Sequence, residues 1–449
     1  MPLAGLKLSE LIGALSHALD ITEGQPEGHC VRCCWIGMHL GRALGLSEHA
    51  QWELYYTLLL KDLGCSSNAA RICELYLTDD LSFKRDFKWV DGSLSQVMRF
   101  VIDHTGVEAG LAERFRALLT IMRNGEELAQ ELIQTRCQRG AQIARQLRFS
   151  EGVARGIHAL DEHWDGSGRP DRLKGEAIPL NARIALLAQV VDVFHSVGGP
   201  DAALEEVRRR SGTWFDPHLC TVFERVCARP GFWPMLASES LPAAVFALEP
   251  ARYEVPLDDD YLDEIAAAFG QVVDAKSPYT AGHSVRVARY TDLVAEELGI
   301  DPARRRWLRR GALLHDVGKL GVSNRVLDKP GKLDESEWEA VKRHAAYTES
   351  ILARIAQFQE LARVAGAHHE RLDGKGYPRG VAAAEIALET RIITVADIFD
   401  AITAERPYRG ATPVDQALAI MAEHVGTAID ERCFAALQKV LAQVPEAIG

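Results

Sequence analysis

The stretch Leu-Leu-His-Asp-Val-Gly-Lys at residues 313–319 places an imidazole next to a carboxylate in apolar, helix-forming surroundings. A second stretch, Val-Ala-Gly-Ala-His-His-Glu at residues 364–370, adds a histidine doublet in similar surroundings. A lone histidine on a helix is more often a packed or surface residue than a ligand. Imidazoles buried in two apolar segments need polar partners, however, and a metal ion satisfies several of them at once.

Five of the six histidines beyond residue 250 belong to one ordered set of metal-binding residue types. In chain order the set is His283, His315, Asp316, His344, His368, His369 and Asp397. Imidazoles and carboxylates together hold divalent first-row metal ions. The set therefore predicts a hydrolytic centre with two metal ions.

The order of these motifs resembles that of the HD-GYP family of bacterial cyclic-dinucleotide phosphodiesterases. The resemblance covers roughly residues 262–435 and includes Asp-Gly-Lys-Gly-Tyr-Pro at 373–378, Lys-Pro-Gly-Lys-Leu at 329–333 and Arg-Pro-Tyr-Arg at 406–409. It implies an all-α protein with two tandem HD-type helical domains, the first degenerate and the second a complete HD-GYP domain. The helical spacing of apolar residues favours the same fold class.

The resemblance also assigns roles to the ordered set. The implied ligands are His283, His315 and Asp397 for one ion and His344, His368 and His369 for the other. Asp316 is expected to bridge the two ions, and a hydroxide held between them is expected to attack the phosphodiester. Lys319 is expected to contact the scissile phosphate or the attacking water, and Asp400 is a plausible supporting partner of the ligands.

Substrate contacts are implied for Lys319, Arg406, Arg409 and Tyr377, since an arginine fork suits phosphate or guanine. Tyr377 could instead present a docking face for a diguanylate cyclase or belong to an ordinary Gly-Pro turn. Tyr279 stands where some family members place a glutamate for a third metal, so two divalent ions are expected. The resemblance favours iron or manganese and leaves nickel, cobalt and zinc open.

The function implied is metal-dependent hydrolysis of a cyclic dinucleotide second messenger. The substrate is either cyclic di-GMP, giving pGpG or GMP, or 3′,3′-cyclic GMP-AMP, and the sequence does not decide between them. One alternative is another HD phosphohydrolase acting on nucleotides or alarmones, against which the Gly-Tyr-Pro loop argues. Another is a non-catalytic signalling scaffold, against which the complete set of ligands argues.

The first half of the chain repeats the pattern of the second. His29 precedes Lys61-Asp62 by 32 residues, and His283 precedes His315-Asp316 by the same interval. Asp-Gly-Ser-Gly-Arg-Pro at residues 165–170 corresponds to residues 373–378. These matches predict an internal duplication in which the first copy carries an insertion at about residues 66–130.

The first copy differs where metal chemistry is expected. Lys61 replaces the first histidine of the pair motif, Arg136 stands near the position of His344, Leu160-Asp161 replaces the doublet, Gln189 the last aspartate and Cys65 the lysine. A cationic lysine opposes a divalent ion, so this domain is predicted to be metal-free. We expect a degenerate regulatory or dimerising domain at residues 1–240, a linker at 241–260 and a catalytic domain at 261–449.

Composition limits the partners. The 449 residues carry a net charge of -12 divided evenly between the halves, which argues against a nucleic-acid polymer as partner. Nine cysteines follow no disulfide pattern, and Cys30, Cys33 and Cys34 are expected to be packed rather than to bind metal. No apolar stretch approaches the ~20 residues that a membrane span requires, so a cytoplasmic location is expected. A signalling-protein partner and a homodimer stay open.

Overall fold

The structure, a computed structural model, describes residues 6–250, 257–405 and 410–443. The chain forms two compact units, Met1–Leu257 and Asp258–Gly449. Within the described residues both units consist of helices and loops, with isolated bridges such as Ser211–Phe215 in place of strands. The predicted all-α fold is confirmed.

Unit 1 contains twelve α-helices within its described residues. Its α-helices are α1 (Leu8–Thr22), α2 (His29–Ala43), α3 (Glu48–Leu60), α4 (Ala69–Tyr76), α5 (Asp80–Phe87), α6 (Leu94–His104), α7 (Leu111–Gln146), α8 (Glu151–His158), α9 (Leu180–Arg210), α10 (Pro217–Cys227), α11 (Phe232–Leu236) and α12 (Leu241–Phe246). The hydroxyl of Ser47 accepts a hydrogen bond from the backbone N–H of Ala50 and so caps α3.

Unit 2 starts at the aspartate cap of its first helix. Its α-helices are α13 (Asp259–Asp274), α14 (His283–Glu297), α15 (Pro302–Leu314), α16 (Asn324–Leu327), α17 (Glu335–Leu352), α18 (Gln359–Gly366), α19 (Leu388–Thr403), α20 (Val414–Ala422) and α21 (Glu431–Gln443). Asp258 caps α13, and Asp301 caps α15 by accepting from the N–H groups of Ala303 and Arg304.

Corresponding helices of the two units begin alike. Both α2 and α14 start at a histidine preceded by a glycine in the left-handed region, Gly28 with φ 81° and Gly282 with φ 71°. A side chain at either position would be strained, so the abrupt helix start requires glycine. In unit 2, α14 packs against α15 and α19, and α17 packs against α18. These five helices carry or immediately precede every predicted metal ligand.

The insertion of unit 1 comprises α4 to α6 and the beginning of α7. It has its own apolar cluster, in which Tyr76, Phe83 and Phe100 are buried. Eight of the most exposed large apolar side chains among the described residues also lie here, namely Phe87, Leu94, Ile102, Val107, Leu111, Phe115, Leu119 and Met122. The segment therefore has a small core of its own beneath an apolar outer face.

Two expectations from the sequence were wrong. The linker predicted at residues 241–260 is too long, because α12 packs on unit 1 through buried Leu241 and Val245, and α13 already begins at Asp259. Helix α9 is also long and apolar enough to cross a membrane by length and composition, contrary to expectation. Its most apolar 18-residue window is 61% buried, as expected of a core helix in a globular protein. The helix is also interrupted at Gly199, where the backbone leaves the helical conformation.

Candidate metal centre

The seven side chains predicted as metal ligands lie together in unit 2. His283 begins α14, His315 and Asp316 follow α15, His344 lies on α17, the His368-His369 doublet follows α18, and Asp397 lies on α19. Three groups among them have ligand atoms within 4.8 Å of one another, namely His283 with His315 and Asp397, His315 with Asp316 and His368, and His344 with His368 and His369. Because His315 belongs to the first two groups and His368 to the last two, the three groups form one cluster.

Asp316 lies between the two halves of this cluster. Its Oδ2 is 3.3 Å from Nε2 of His283 and 3.3 Å from Nε2 of His315. Its Oδ1 is 3.5 Å from Nε2 of His344 and 3.6 Å from Nε2 of His368. Each carboxylate oxygen thus faces a different pair of imidazoles, which is the arrangement that a bridging ligand requires.

The remaining ligands complete the two halves. Asp397 Oδ1 lies 3.4 Å from Nε2 of His283 and 3.7 Å from Nε2 of His315. On the other side, Nε2 of His344 is 3.2 Å from Nε2 of His368, and the rings of His368 and His369 have centroids 4.1 Å apart. One half is therefore rich in carboxylate, and the other consists of imidazoles.

The donor atoms fit metal ions better than they fit one another. Among the described residues, Nε2 of His283, Nε2 of His315 and Oδ1 of Asp316 are buried and make no hydrogen bond of good geometry. A buried polar atom without a partner costs free energy. Divalent ions bound at these atoms would remove that cost.

The opposite nitrogen of each ring is held by the protein. Nδ1 of His315 donates to the carbonyl of Ala312 at 2.6 Å, and Nδ1 of His368 donates to the carbonyl of Ala365 at 2.6 Å. In the neutral form of each ring, which is the form that binds metal, this pairing leaves Nε2 as the acceptor that faces the cluster. Fixing the tautomer in this way is typical of metal-binding histidines.

Burial and neighbouring charges divide the histidines by pKa. Burial lowers the pKa of His344 to about 3 and that of His369 to about 4, so both are neutral and able to bind metal. For His315, burial opposes the charged form, but Asp316 outweighs it and raises the pKa to about 9. The Asp316 carboxyl keeps its pKa well below the usual range despite burial, because His315 and Lys319 favour the anion.

A carboxylate supports His283 from behind. Asp400 Oδ2 accepts a hydrogen bond from Nδ1 of His283 at 2.7 Å, and Nε of Arg286 donates to Oδ1 of the same carboxylate at 2.6 Å. A carboxylate behind a histidine orients the ring and raises the basicity of its free nitrogen. The structure therefore places Asp400 where the sequence suggested, and adds Arg286, which the sequence analysis did not identify.

Two threonines that sequence reasoning missed hold the ligand segments in place. Thr348 Oγ1 donates to the carbonyl of His315 at 2.8 Å and accepts from the N–H of Gly318 at 3.0 Å. Thr394 Oγ1 donates to the carbonyl of His368 at 2.8 Å. Both lie on helices as ordinary buried residues, and nothing in their sequence spacing marks them.

The glycines of the motifs allow close backbone approach. A Cβ on Gly318 would lie 2.0 Å from the carbonyl oxygen of His344, and one on Gly376 would lie 2.5 Å from the carbonyl oxygen of His369. Glu370 anchors the loop after the doublet, because its carboxylate accepts from the N–H groups of Arg379 and Val381 at 2.7 and 3.0 Å. The loop that contains Tyr377 is thereby held against the cluster.

The predicted substrate residues are only partly described. Lys319 Nζ lies 2.5 Å from Oδ2 of Asp316 and lines a cavity with His283. The ring of Tyr377 lies 4.8 Å from that of His369 between centroids. Arg406 and Arg409 lie outside the described residues.

The corresponding residues of unit 1 form a different site. His29 Nδ1 lies 2.7 Å from Asp192 Oδ2, which repeats the contact between His283 and Asp400. Lys61, however, directs its ammonium into the site, where it lies 3.0 Å from Nε2 of His29 and 3.0 Å from Oε1 of Gln189 and forms an ion pair with Asp62. A side-chain cation thus lies where unit 2 has imidazole.

The second half of the unit 1 site is also filled by a cation. Arg136 forms an ion pair with Asp161, at the positions that correspond to His344 and His369. Candidate donor groups are present, such as His29 with Cys33 and Asp192. The adjacent Lys61 ammonium repels a divalent ion, and burial together with that ammonium lowers the pKa of His29 to about 4.

The helical fold and the cluster of imidazoles around a His-Asp pair define a metal-dependent phosphohydrolase of the HD type. The profile of the HD domain family matches residues 108–219 and 268–433. The chain belongs to the HD-GYP family of cyclic-dinucleotide phosphodiesterases within it.

Individual relatives show how far along the chain the similarity extends. The chain is 62% identical to the 3′3′-cGAMP-specific phosphodiesterase 3 of Vibrio cholerae serotype O1, over 98% of this chain and 95% of the relative. It is 37% identical to the cyclic di-GMP phosphodiesterase response regulator RpfG of Xanthomonas campestris, over 41% of this chain and 50% of the relative. A crystal structure of a cyclic GMP-AMP specific phosphodiesterase of V. cholerae matches with a TM-score of 0.68 and 56% identity, covering 98% of this chain and 99% of that one.

Proposed function

We propose that unit 2 hydrolyses 3′,3′-cyclic GMP-AMP to a linear dinucleotide with two divalent metal ions. The observation that carries this substrate is the 62% identity, over nearly the whole of both chains, to an enzyme named for that specificity. Cyclic di-GMP is the second candidate, because the relatives named for it match the chain over about half of their own length.

Seven side chains would hold the ions. His283, His315 and Asp397 surround one position, His344, His368 and His369 surround the other, and Asp316 faces both. Ions bound there would supply positive charge for the phosphate oxygens and would acidify a water molecule. Nitrogen and oxygen donors of this kind accept several first-row metals, and we propose iron or manganese on the family resemblance.

Lys319 would contact the substrate rather than stabilise the folded structure. Its side chain is 19% exposed, lines the cavity beside His283, and directs its ammonium at the Asp316 carboxylate. An ammonium held there is positioned to stabilise the negative charge that accumulates on a phosphodiester during its cleavage. It also offsets the unfavourable field of a chain with a net charge of -12.

The test is hydrolysis by metal-free protein reconstituted with Mn²⁺ or Fe²⁺. The protein is incubated with 3′,3′-cyclic GMP-AMP and with cyclic di-GMP, and the products are separated by chromatography. We expect faster consumption of 3′,3′-cyclic GMP-AMP, and loss of turnover in His315→Ala and Asp316→Ala with unchanged helical content. His424→Ala removes the one histidine beyond residue 250 that is outside the ligand set and serves as the matched control, which should retain wild-type activity.

The outcomes separate the alternatives. Faster cleavage of cyclic di-GMP would reverse the proposed specificity, and cleavage of nucleotides or alarmones alone would indicate another HD phosphohydrolase. Metal-bound protein that cleaves none of these would indicate a signalling scaffold. Full activity in Asp316→Ala would contradict the proposed site.

Location and partners are further proposals. None of the nine cysteines, all of which lie in the described part of the chain, forms a disulfide, and eight of them are buried, which agrees with a reducing cytoplasm. The apolar outer face of the insertion in unit 1 agrees with a regulatory or dimerising role for that unit. Contact with a diguanylate cyclase or other signalling protein stays a prediction.

A further inference from the structure

A cavity of about 570 Å³ opens beside the histidine doublet of unit 2. It is lined by His368 and His369, of which His368 is fully buried, and by Trp338, Lys342 and Tyr377, of which Trp338 is exposed. The cavity therefore leads from the metal ligands to an aromatic and cationic rim. Neither Trp338 nor Lys342 belongs to the motifs that identified the metal site.

Trp338 is unusually exposed for its size. It lies on α17, and 45% of it is exposed. Among the described residues of unit 2, it and Val285 are the large apolar residues with most exposure. Leaving a large aromatic surface in water costs free energy. The exposed face of the indole is therefore a candidate for contact with a bound ligand.

The indole continues an aromatic series that begins at the metal site. The ring of Tyr377 lies 4.8 Å from that of His369 between centroids. The ring of Trp338 then lies 6.1 Å from that of Tyr377, with an angle of 81° between the planes. The ammonium of Lys342 lies 6.0 Å from the centroid of the indole. A phosphate at the metal site would thus have an aromatic surface within reach of its attached nucleoside.

Unit 1 offers an internal comparison. Counting back from the paired ligand positions, Gln130 occupies the place of Trp338 and Arg169 that of Tyr377. The side-chain amide of Gln130 donates to the carbonyl of Pro170 at 2.7 Å. The unit without the histidine cluster therefore also lacks the aromatic pair, although the α-helical framework is similar. A purely structural need of that framework would call for aromatic residues in both units.

We propose that Trp338 stacks on one purine base of the cyclic dinucleotide while the scissile phosphate lies at the histidine cluster. This inference rests on the proposed function, because it presupposes a substrate with bases. Aromatic stacking tolerates any base, so Trp338 would strengthen binding of both cyclic dinucleotides without choosing between guanine and adenine. Trp338 is thus a substrate-positioning residue of the outer cavity.

The experiment compares Trp338→Ala, Trp338→Phe and the control Trp307→Ala. Trp307 lies on α15 under the guanidinium of Arg304, away from the residues that line the cavity. Loss of one stacked base should raise KM for both cyclic dinucleotides roughly tenfold to a hundredfold in Trp338→Ala. The phenylalanine variant should recover most of the loss, and the control should resemble the wild type.

The split between KM and kcat provides the second readout. Metal content and kcat at saturating cyclic dinucleotide should be unchanged in Trp338→Ala, since stacking acts on binding and the seven predicted metal ligands are intact. An unchanged KM for the cyclic dinucleotides in an active protein would overturn the stacking role alone. Loss of metal, or a lower kcat with an unchanged KM, would also overturn it and indicate a structural role. A wild-type protein that binds metal but cleaves no cyclic dinucleotide would refute the proposed function and the stacking role together.

Discussion

The ammonium nitrogen of Lys61 lies 3.0 Å from Nε2 of His29 in unit 1. In unit 2 the corresponding nitrogen is Nε2 of His283, and this nitrogen makes no hydrogen bond of good geometry within the described part of the chain. A side-chain cation thus occupies in one unit the kind of position that a metal ion would occupy in the other. At corresponding positions of the two units, unit 1 has an ion pair between Lys61 and Asp62, and unit 2 has buried donor atoms that could bind metal ions.

The first prediction concerns the stability of unit 1. Lys61→Ala leaves the buried Asp62 carboxylate without its ion-pair partner, and removing one partner of a buried pair costs about 3–5 kcal/mol. Chemical denaturation should reveal this loss as earlier unfolding of unit 1. Arg99→Ala, which removes an ion pair whose arginine is 85% exposed, is the control and should change stability by less than about 1 kcal/mol. Equal stability of the two variants would contradict the role given to Lys61.

The second prediction reverses the charge of the unit 1 site. The double variant Lys61→His and Gln189→Asp restores residue types that correspond to His315 and Asp397, beside the existing His29 and Asp62. Because the repelling ammonium is gone and four suitable donors are present, the variant should bind one further ion per chain. Elemental analysis of dialysed protein measures the change. A metal content equal to that of the wild type would argue against correspondence of the two sites.

The third prediction is a pH dependence of metal binding. Burial opposes the charged form of both His315 and His283, but nearby carboxylates raise the pKa of His315 to about 9 and that of His283 well above its usual value. Both rings therefore carry a second proton in metal-free protein near neutral pH. Metal ions must displace these protons, so apparent affinity for Mn²⁺ should rise between about pH 6 and 8. Calorimetry in buffers of different ionisation enthalpy measures the release. Affinity independent of pH would contradict these protonation states.

The same raised pKa values set the sign of a stability change. A histidine whose folded pKa exceeds the unfolded value of about 6.5 stabilises the protein fully below that pH. This contribution disappears as the pH rises through the folded value, about 9 for His315. In metal-free protein, unit 2 should therefore unfold at a lower temperature at pH 9 than at pH 6.5. His315→Ala should show a smaller difference when thermal unfolding is followed at both values.

The fourth prediction concerns Lys319. Replacing it by alanine removes a cation beside Asp316, and loss of one such electrostatic contact typically lowers kcat by roughly 10²–10³-fold. Metal content should persist, because the seven ligands are unchanged. Steady-state kinetics together with elemental analysis test this expectation. Wild-type kcat in Lys319→Ala would exclude the residue from catalysis, whereas parallel loss of metal would assign it to metal binding instead.

The sequence predicted the part of the site that depends on residue type. Metal ligands must be particular side chains, so His315-Asp316 and the doublet at residues 368–369 were visible as a pattern, and the structure brings them together. Thr348 and Thr394 were missed because they act by packing one helix against another backbone, which leaves no local signal. Trp338 was missed because only the structure shows its exposure beside the cavity.

The errors in the fold have equally local causes. The linker was placed over residues 241–260, but Pro242 stands in the first turn of α12, where proline is well tolerated. In α9 the helical structure resumes beyond the break at Gly199, which gives the helix its length of 31 residues. Propensity alone could not show either outcome, since packing of apolar residues decides both.

Metal stoichiometry measured against activity tests the central claim most directly. Metal-free protein is titrated with Mn²⁺, and hydrolysis of 3′,3′-cyclic GMP-AMP is followed at each step. We expect no turnover without metal and a plateau at two ions per chain, with Asp316→Ala inactive throughout, because unit 2 alone binds the ions. Full activity in metal-free protein, or a plateau at four ions per chain, would contradict this account.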